Sequence, residues 1–69
     1  MTTRFELFED TAKLREILLA ADWEFTSEIW GEKNYIVEID GEEFYKVEFE
    51  DGSVIITDDP AIAAGEVGE

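Results

Sequence analysis

Carboxylates are the main side chains of this chain that could do acid–base or metal chemistry, because the chain contains 19 Asp and Glu residues but no histidine and no cysteine. The adjacent pairs Glu42-Glu43 and Asp58-Asp59 could in principle bind a cation or hydrolyse a glycoside. Neighbouring strand residues point to opposite faces, however, and no calcium-loop motif of the D-x-[DN]-x-[DN]-G type occurs. The serines and threonines lack a histidine base. We therefore expect no catalytic residue, no metal site and no cofactor, and a protein that is not an enzyme.

Charge imbalance is the strongest functional signal, since 19 acidic residues against five basic ones leave a net charge of -14. Self-repulsion at this charge destabilises the compact state, which suggests a basic partner or an unusual solvent. Five scattered cations are too few to bind nucleic acid directly. No apolar run is long enough to cross a membrane and no signal pattern is visible, so we expect a cytoplasmic monomer or homodimer.

The residues between the acids predict a folded body. Hydrophobic residues make up 45% of the chain and aromatic residues 13%, and both are interleaved with the acids. A disordered acidic tail lacks this apolar content. The length suits one small domain that spans residues 1–69.

The clearest helix covers Asp10–Ala21, where Leu14 and Leu18 recur at helical spacing and Asp10 or Thr11 can cap the N-terminus. Its apolar stripe predicts a helix that packs on another element. At the other end of the chain, Pro60 at a first helical position and Gly65 as a stop predict one short helical turn, followed by frayed residues 65–69.

Two interpretations stay open for residues 3–8. The alternation of Phe5 and Leu7 favours an additional N-terminal strand. Thr3 and Glu6, by contrast, form a capping box that would start the helix at Thr3.

From Trp23 onward the apolar residues alternate with period two, which predicts a four-stranded antiparallel meander. Turn signals separate the strands at Gly31–Asn34, Asp40-Gly41 and Asp51-Gly52. If the apolar residues share one face, the turn at Gly41 needs three residues and the turn at Asp51-Gly52 needs two. The expected fold class is α+β, with the N-terminal helix packed on this meander.

Strand parity divides the sheet into an apolar face and an acidic face. The expected core face carries Phe25, Ile29, Tyr35, Val37, Ile39, Tyr45, Val47, Phe49, Val54 and Ile56. The expected opposite face collects Glu28, Glu38, Asp40, Glu48 and Glu50, with Lys46 as its one cation. Turn acids extend this array: Glu32, Glu42, Glu43, Asp51, Asp58 and Asp59. Because like charges on neighbouring strands cost stability, we expect these eleven acids to form a partner-binding surface.

Apolar residues also fall on the expected acidic face. Trp30, Ile36 and Phe44 are the candidate anchors there, and Ile55 lies on the same face. They either lie under a terminal segment or act as contact points among the acids, as interface hot spots do.

In size, charge and α+β pattern, the whole chain resembles the small acidic DNA-mimic proteins of phages and mobile elements, which include anti-CRISPR and anti-restriction inhibitors. The resemblance is one of composition, and those proteins share no motif, so it transfers no site residue. It implies an inhibitor that occupies the basic DNA-binding groove of a host defence complex, in the host cytoplasm if the protein is phage-encoded. The first expectation is an anti-CRISPR protein that blocks target-DNA binding by a type I surveillance complex, while restriction and repair enzymes are the other candidate targets.

Two other function classes remain. One is a non-inhibitory interaction module, such as an antitoxin-like partner of a basic protein, in which the apolar anchors dominate binding. The other is an acidic protein from a high-salt cytoplasm, where salt screens the charge and no partner is needed.

Overall fold

The structure is a computed structural model that describes the backbone of residues 2–68 and the side chains of residues 2–64. It is an α+β fold with a five-stranded mixed sheet and two short helices. Along the chain the elements are β1 (Thr3–Glu6), α1 (Ala12–Ala20), β2 (Glu24–Ile29), β3 (Glu32–Ile39), β4 (Glu42–Glu48), β5 (Val54–Thr57) and α2 (Pro60–Gly68).

The sheet has the strand order β1-β5-β4-β3-β2. Strands β2 to β5 form the predicted antiparallel meander. The additional N-terminal strand is present as β1, which pairs in parallel with β5 and sets Phe5 beside Ile56. The alternative of a helix that starts at Thr3 is wrong, and the sheet has five strands in the order that puts β1 and β2 at its edges.

Helix α1 and helix α2 lie on opposite sides of the sheet, which we call the α1 face and the α2 face. The α1 face carries Phe5, Phe25, Tyr35, Val37, Ile39, Phe44, Lys46, Val54 and Ile56, and the α2 face carries Ile36, Tyr45, Val47, Ile55 and Thr57. The main core forms where Leu18 of α1 packs on Phe44 and Ile56, each at most 3% exposed. On the α2 face, Val47 and Ile55 are each 1% exposed. Both faces therefore bury apolar side chains.

The β3–β4 turn has two residues rather than the predicted three. Asp40 and Gly41 both have positive φ values, 53° and 82°, which define a type I′ hairpin turn. This turn pairs Val37 with Phe44 instead of the predicted Tyr45. Every side chain of β4 therefore lies on the face opposite to the expected one.

The β4–β5 loop has three residues, Glu50–Gly52, rather than the predicted two. The Phe49 N–H donates to the Ser53 carbonyl at 2.9 Å, and Gly52 takes the left-handed conformation with φ 92°. The Asp51 carboxylate holds the loop, because it accepts from the Ser53 N–H and hydroxyl at 2.9 and 2.6 Å. These hydrogen bonds lower the pKa of Asp51.

The two errors in turn length compensate each other at β5. Val37 and Ile56 share the α1 face, as predicted. Only the strand between them is inverted, so Phe44 and Lys46 occupy the α1 face and Tyr45 moves to the α2 face. Phe49 lies beyond the end of β4, in the connection to β5, and is not a strand residue.

The β2–β3 turn consists of Trp30 and Gly31, two residues with φ values of 54° and 82°, and so precedes the predicted position. A β-bulge at Thr26 shifts the pairing of β2 with β3. The bulge separates Phe25, which lies on the α1 face, from Ile29, which lies on the α2 face. The prediction that these two side chains share one face is wrong for this reason.

Both helices differ from their predicted limits. Helix α1 starts after Thr11, whose hydroxyl accepts from the Leu14 N–H at 3.1 Å. Asp10 does not cap the helix but binds the Arg15 guanidinium at 2.6 and 2.5 Å, which lowers the Asp10 pKa. Helix α2 continues to Gly68 rather than ending after one turn, so a glycine inside it is tolerated at a cost of about 1 kcal/mol relative to alanine. Of the residues expected to fray, Glu69 lies outside the described residues.

Candidate functional site

The predicted acids do not share one face of the sheet. Six of them lie at the end that contains the β3–β4 turn and the C-terminus of β5, and five lie at the other end. The first group comprises Glu38, Asp40, Glu42, Glu43, Asp58 and Asp59. The second group comprises Glu28, Glu32, Glu48, Glu50 and Asp51. The prediction of a single acidic face is therefore wrong. The inversion of β4 puts apolar side chains at the centre of both faces, and α2 packs on the second of them.

Two further acids join the first group through the parallel pairing of β1 with β5. Glu6 pairs with Thr57, and Glu9 lines a cleft of about 50 Å³ together with Glu42 and Asp58. We call the set Glu6, Glu9, Glu38, Asp40, Glu42, Glu43, Asp58 and Asp59 the acidic end. Glu6 and Glu9 could not be found from the strand pattern, since nothing in the sequence specified which strand β1 would join.

The acidic end is poor in ion pairs. Within residues 2–64, the single member with a basic side chain inside 4 Å is Glu6, whose Oε2 lies 3.3 Å from Arg4 Nε. Arg15 of α1 does not neutralise it, because its guanidinium binds Asp10 and stacks on Phe5 at 4.6 Å from the ring centre. Apart from Glu6, the carboxylates of the acidic end therefore have no salt bridge within the described residues.

Glu38 and Glu43 stand directly opposite each other on β3 and β4. Like charges in this position destabilise a sheet. The Tyr45 hydroxyl donates to Glu43 Oε1 at 3.3 Å, and burial, followed by the charge of Glu43, raises the pKa of Tyr45. Folding alone does not favour two carboxylates here.

Glu43→Lys should raise the free energy of unfolding by about 0.5–1 kcal/mol, since it replaces a like-charge pair by an opposite-charge pair. It should also lower the pKa of Tyr45 towards its ordinary value. Urea denaturation measures the first effect, and an absorbance titration of tyrosine measures the second.

Glu42→Lys is the matched control. It changes the net charge equally, but residue 42 stands opposite Ile39 rather than a carboxylate. Equal stabilisation by both substitutions would show that net charge, not the Glu38–Glu43 pair, is the cause.

Phe8 gives the acidic end an apolar side chain that is 93% exposed. It lines clefts together with Glu9, Glu42 and Asp58, and its N–H donates to Asp58 Oδ2 at 3.1 Å. Phe8 is not among the anchor residues predicted from the sequence. Its signal was weak, because Phe8 directly follows Leu7 and falls outside the period-two alternation of Phe5 and Leu7.

The opposite end of the sheet mixes both signs of charge. Glu28 pairs across β2 and β3 with Lys33, and Lys46 Nζ lies 3.6 Å from Glu48 Oε2. Lys46, expected as the cation of an acidic face, instead lies on the α1 face with its Nζ 5.1 Å and 4.6 Å from the ring centres of Trp23 and Tyr35.

Two other acids of this end are held locally. Glu50 packs its carboxylate against the backbone of Gly31 in the β2–β3 turn. In Glu32, the carboxylate oxygen Oε1 is buried and has no hydrogen-bond partner among the described residues.

The three predicted apolar anchors have three different environments. Phe44 is 3% exposed in the main core, so its assignment as a surface anchor is wrong. Ile36 is half-buried on the α2 face. Trp30 is 77% exposed at the tip of the β2–β3 turn and alone retains the exposure of an anchor.

A groove of about 460 Å³ runs along the α2 face beside α2. Its floor includes Ile36 and Val47, and one wall is formed by Ala63 and Ala64 of α2. Ile29, which is 42% exposed, forms part of the other wall. The groove exists because α2 packs mainly on β4 and β5, and no described side chain of α2 covers the whole β2–β3 half of the face.

Within the described residues, no group of three or more acidic side chains is placed to hold a metal ion. No helix among them is long and apolar enough to cross a membrane.

No protein-family model, no curated protein sequence and no solved structure matches this chain.

Proposed function

We propose that this protein is an inhibitor that places its acidic end in the basic groove of a nucleic-acid-binding protein. The observation that carries the proposal is the set of carboxylates without salt bridges at one end of the sheet, including the opposed pair Glu38 and Glu43. A solvated surface needs polarity but not one sign of charge. A surface that binds a basic groove needs negative charges, even where their mutual repulsion lowers the stability of the protein.

The geometry of the acidic end supports this role. Four neighbouring strands contribute to it, and adjacent strands lie about 4.8 Å apart, so the carboxylates occupy closely spaced and ordered positions. A groove that evolved to hold phosphates offers Lys and Arg side chains at comparable density. Long-range attraction would speed association, and the affinity would fall with rising salt.

Phe8 adds an apolar contact at the centre of this charge. Binding sites commonly combine an aromatic anchor with a charged surround, because the anchor contributes binding energy and the charges steer encounter. The 93% exposure of Phe8 leaves the whole ring available to a partner.

The target that we propose is the DNA-binding groove of a host defence complex, with a type I CRISPR surveillance complex as the first to test and restriction or repair enzymes next. The site of action would be the host cytoplasm. This choice within the class follows the compositional resemblance to DNA-mimic inhibitors.

The test is competition between the protein and a labelled DNA duplex for a purified type I surveillance complex, followed by fluorescence anisotropy. The wild-type protein should displace DNA, and displacement should weaken with salt. Glu43→Lys should raise the half-inhibitory concentration about tenfold, a loss of about 1.4 kcal/mol. Because this variant is expected to be more stable than the wild type, unfolding cannot explain the loss.

Glu16→Lys is the control, since it changes the net charge equally on the exposed side of α1. It should shift the half-inhibitory concentration less than twofold, as a rough bound for a distant surface charge. Equal losses for both variants would show that net charge rather than the acidic end drives binding. DNA affinity that is unchanged by excess wild-type protein would overturn the proposal for that complex.

A further inference from the structure

The groove on the α2 face is an apolar surface that the described residues leave open. Ile29, Ile36, Val47, Ala63 and Ala64 supply its apolar lining, and its floor consists of the β2–β3 half of the sheet with the adjoining part of β4. That half is two strands wide, about 10 Å, which is the diameter of one α-helix. Helix α2 covers the adjacent half of the same face.

Trp30 extends the apolar surface past the end of the groove. It follows Ile29 directly and is 77% exposed. Its φ of 54° places a bulky aromatic residue in the left-handed region, where Asn, Asp and Gly are favoured. Such strain at an exposed position is typical of residues retained for contact with a partner.

The charges around the groove select the occupant. Glu24 pairs across from Ile36 on the α2 face, and Glu38 and Glu43 follow on the neighbouring strands of that face. Glu32 stands opposite Ile29 near the other end. An apolar floor between carboxylates suits a segment with an apolar stripe flanked by Lys or Arg. A second copy of this chain would bring another net charge of -14 to the same place.

The edge strand argues for a helix rather than an added strand. The bulge at Thr26 interrupts the regular pairing of β2, and bulges of this kind discourage further strands from joining an edge. The Thr26 hydroxyl also turns inward and donates to the Asn34 carbonyl at 3.0 Å.

We propose that the groove beside α2, with Trp30 at its end, binds a basic amphipathic helix of a partner protein. The helix would lie next to α2 and complete the layer that α2 begins. Its apolar stripe would contact Ile29, Ile36 and Val47, and its cations would face Glu24 and Glu38. This surface adjoins the acidic end, because Glu38 and Glu43 belong to the acidic end and also border the groove.

The experiment uses a synthetic helical peptide of Leu and Lys, about four turns long, added to the isotopically labelled protein. Amide shifts in the NMR spectrum should map to Ser27, Asn34, Ile36 and Val47. Ala64→Leu, which fills the groove without a change in charge, should weaken binding about tenfold. Ala20→Leu is the matched control, because it adds the same side chain at an exposed position of α1, on the other side of the sheet, and it should bind as the wild type does.

Trp30→Asn provides a second variant, because it removes the anchor and relieves the turn, so that loss of binding occurs in a protein that is at least as stable. It should weaken peptide binding severalfold. Unchanged binding by both Ala64→Leu and Trp30→Asn would overturn the proposal.

Three other results would also overturn it. A scrambled peptide of the same composition that binds equally well would show that charge alone is recognised. A Leu and Glu peptide that binds equally well would show that the occupant is not basic. The third result is self-association: the NMR signals of the groove would shift with protein concentration, and sedimentation would show a dimer that Ala64→Leu dissociates. This result would assign the groove to a second copy of the chain. DNA competition by Ala64→Leu at the wild-type level separates this surface from the proposed inhibitor site.

Discussion

Phe44→Ala should unfold most of the protein at 25 °C. The Phe44 side chain is 3% exposed and packs between Leu18 and Ile56, so its removal leaves a cavity in the main core. Truncation of a buried phenylalanine costs about 3–5 kcal/mol. The core of a domain this small rarely supplies more than about 3–5 kcal/mol of net stability. Urea denaturation followed by far-ultraviolet circular dichroism measures the loss.

Phe8→Ala is the matched control, since it removes the same side chain at a position that is 93% exposed. Its effect on the free energy of unfolding should stay within about 0.5 kcal/mol. The pair also separates two interpretations of Phe44. A surface anchor would lose binding on truncation and keep its stability, whereas a core residue loses the fold. A Phe44→Ala variant as stable as Phe8→Ala would contradict the packing of Phe44 on Leu18 and Ile56 in the main core.

Trp30→Asn should raise the free energy of unfolding by about 1 kcal/mol, because it relieves a bulky side chain in the left-handed region. Trp30 occupies the first central position of a type I′ turn with φ 54° and contributes little to the core at 77% exposure. Asparagine is among the residues that this position favours. Thermal and urea denaturation measure the gain.

The β3–β4 turn supplies the reciprocal control within the same molecule. Asp40 occupies the equivalent position with φ 53°, followed as in the other turn by a glycine with φ 82°. Asp40→Trp should therefore lower the free energy of unfolding by about the amount that Trp30→Asn raises it. If Trp30→Asn instead destabilises the protein, the tryptophan is a packing residue and its role as an exposed anchor is wrong.

The sequence was sufficient to predict the α+β class, helix α1 and the antiparallel meander, and it offered the additional N-terminal strand as one of two interpretations. Period-two alternation, the Asp-Gly turn signals and the helical stripe of Leu14 and Leu18 are local properties. The direction of β1 was not within reach. Its partner, β5, lies some fifty residues away in the chain. A strand of only four residues carries no information about which other strand it will join.

The lengths of two turns decided which residues of β4 are buried. Parity arguments assume that one face is apolar and the other polar, as in a sheet with one solvated side. Here Phe44, Tyr45 and Val47 give β4 apolar residues of both parities, because helices cover both faces. The sequence was therefore compatible with either register, and the type I′ geometry of Asp40-Gly41 selected one of them.

The excess of acid, a net charge of -14 interleaved with apolar residues, follows directly from the amino-acid sequence, and it requires a solvated and repulsive surface. The tertiary structure alone decided where that charge lies. A one-residue difference in turn length moves a whole strand to its other face, and the β1–β5 pairing brings Glu6 and Glu9 to one end of the sheet. Charge is a local property of residues, whereas its arrangement depends on contacts between strands that are distant in the chain.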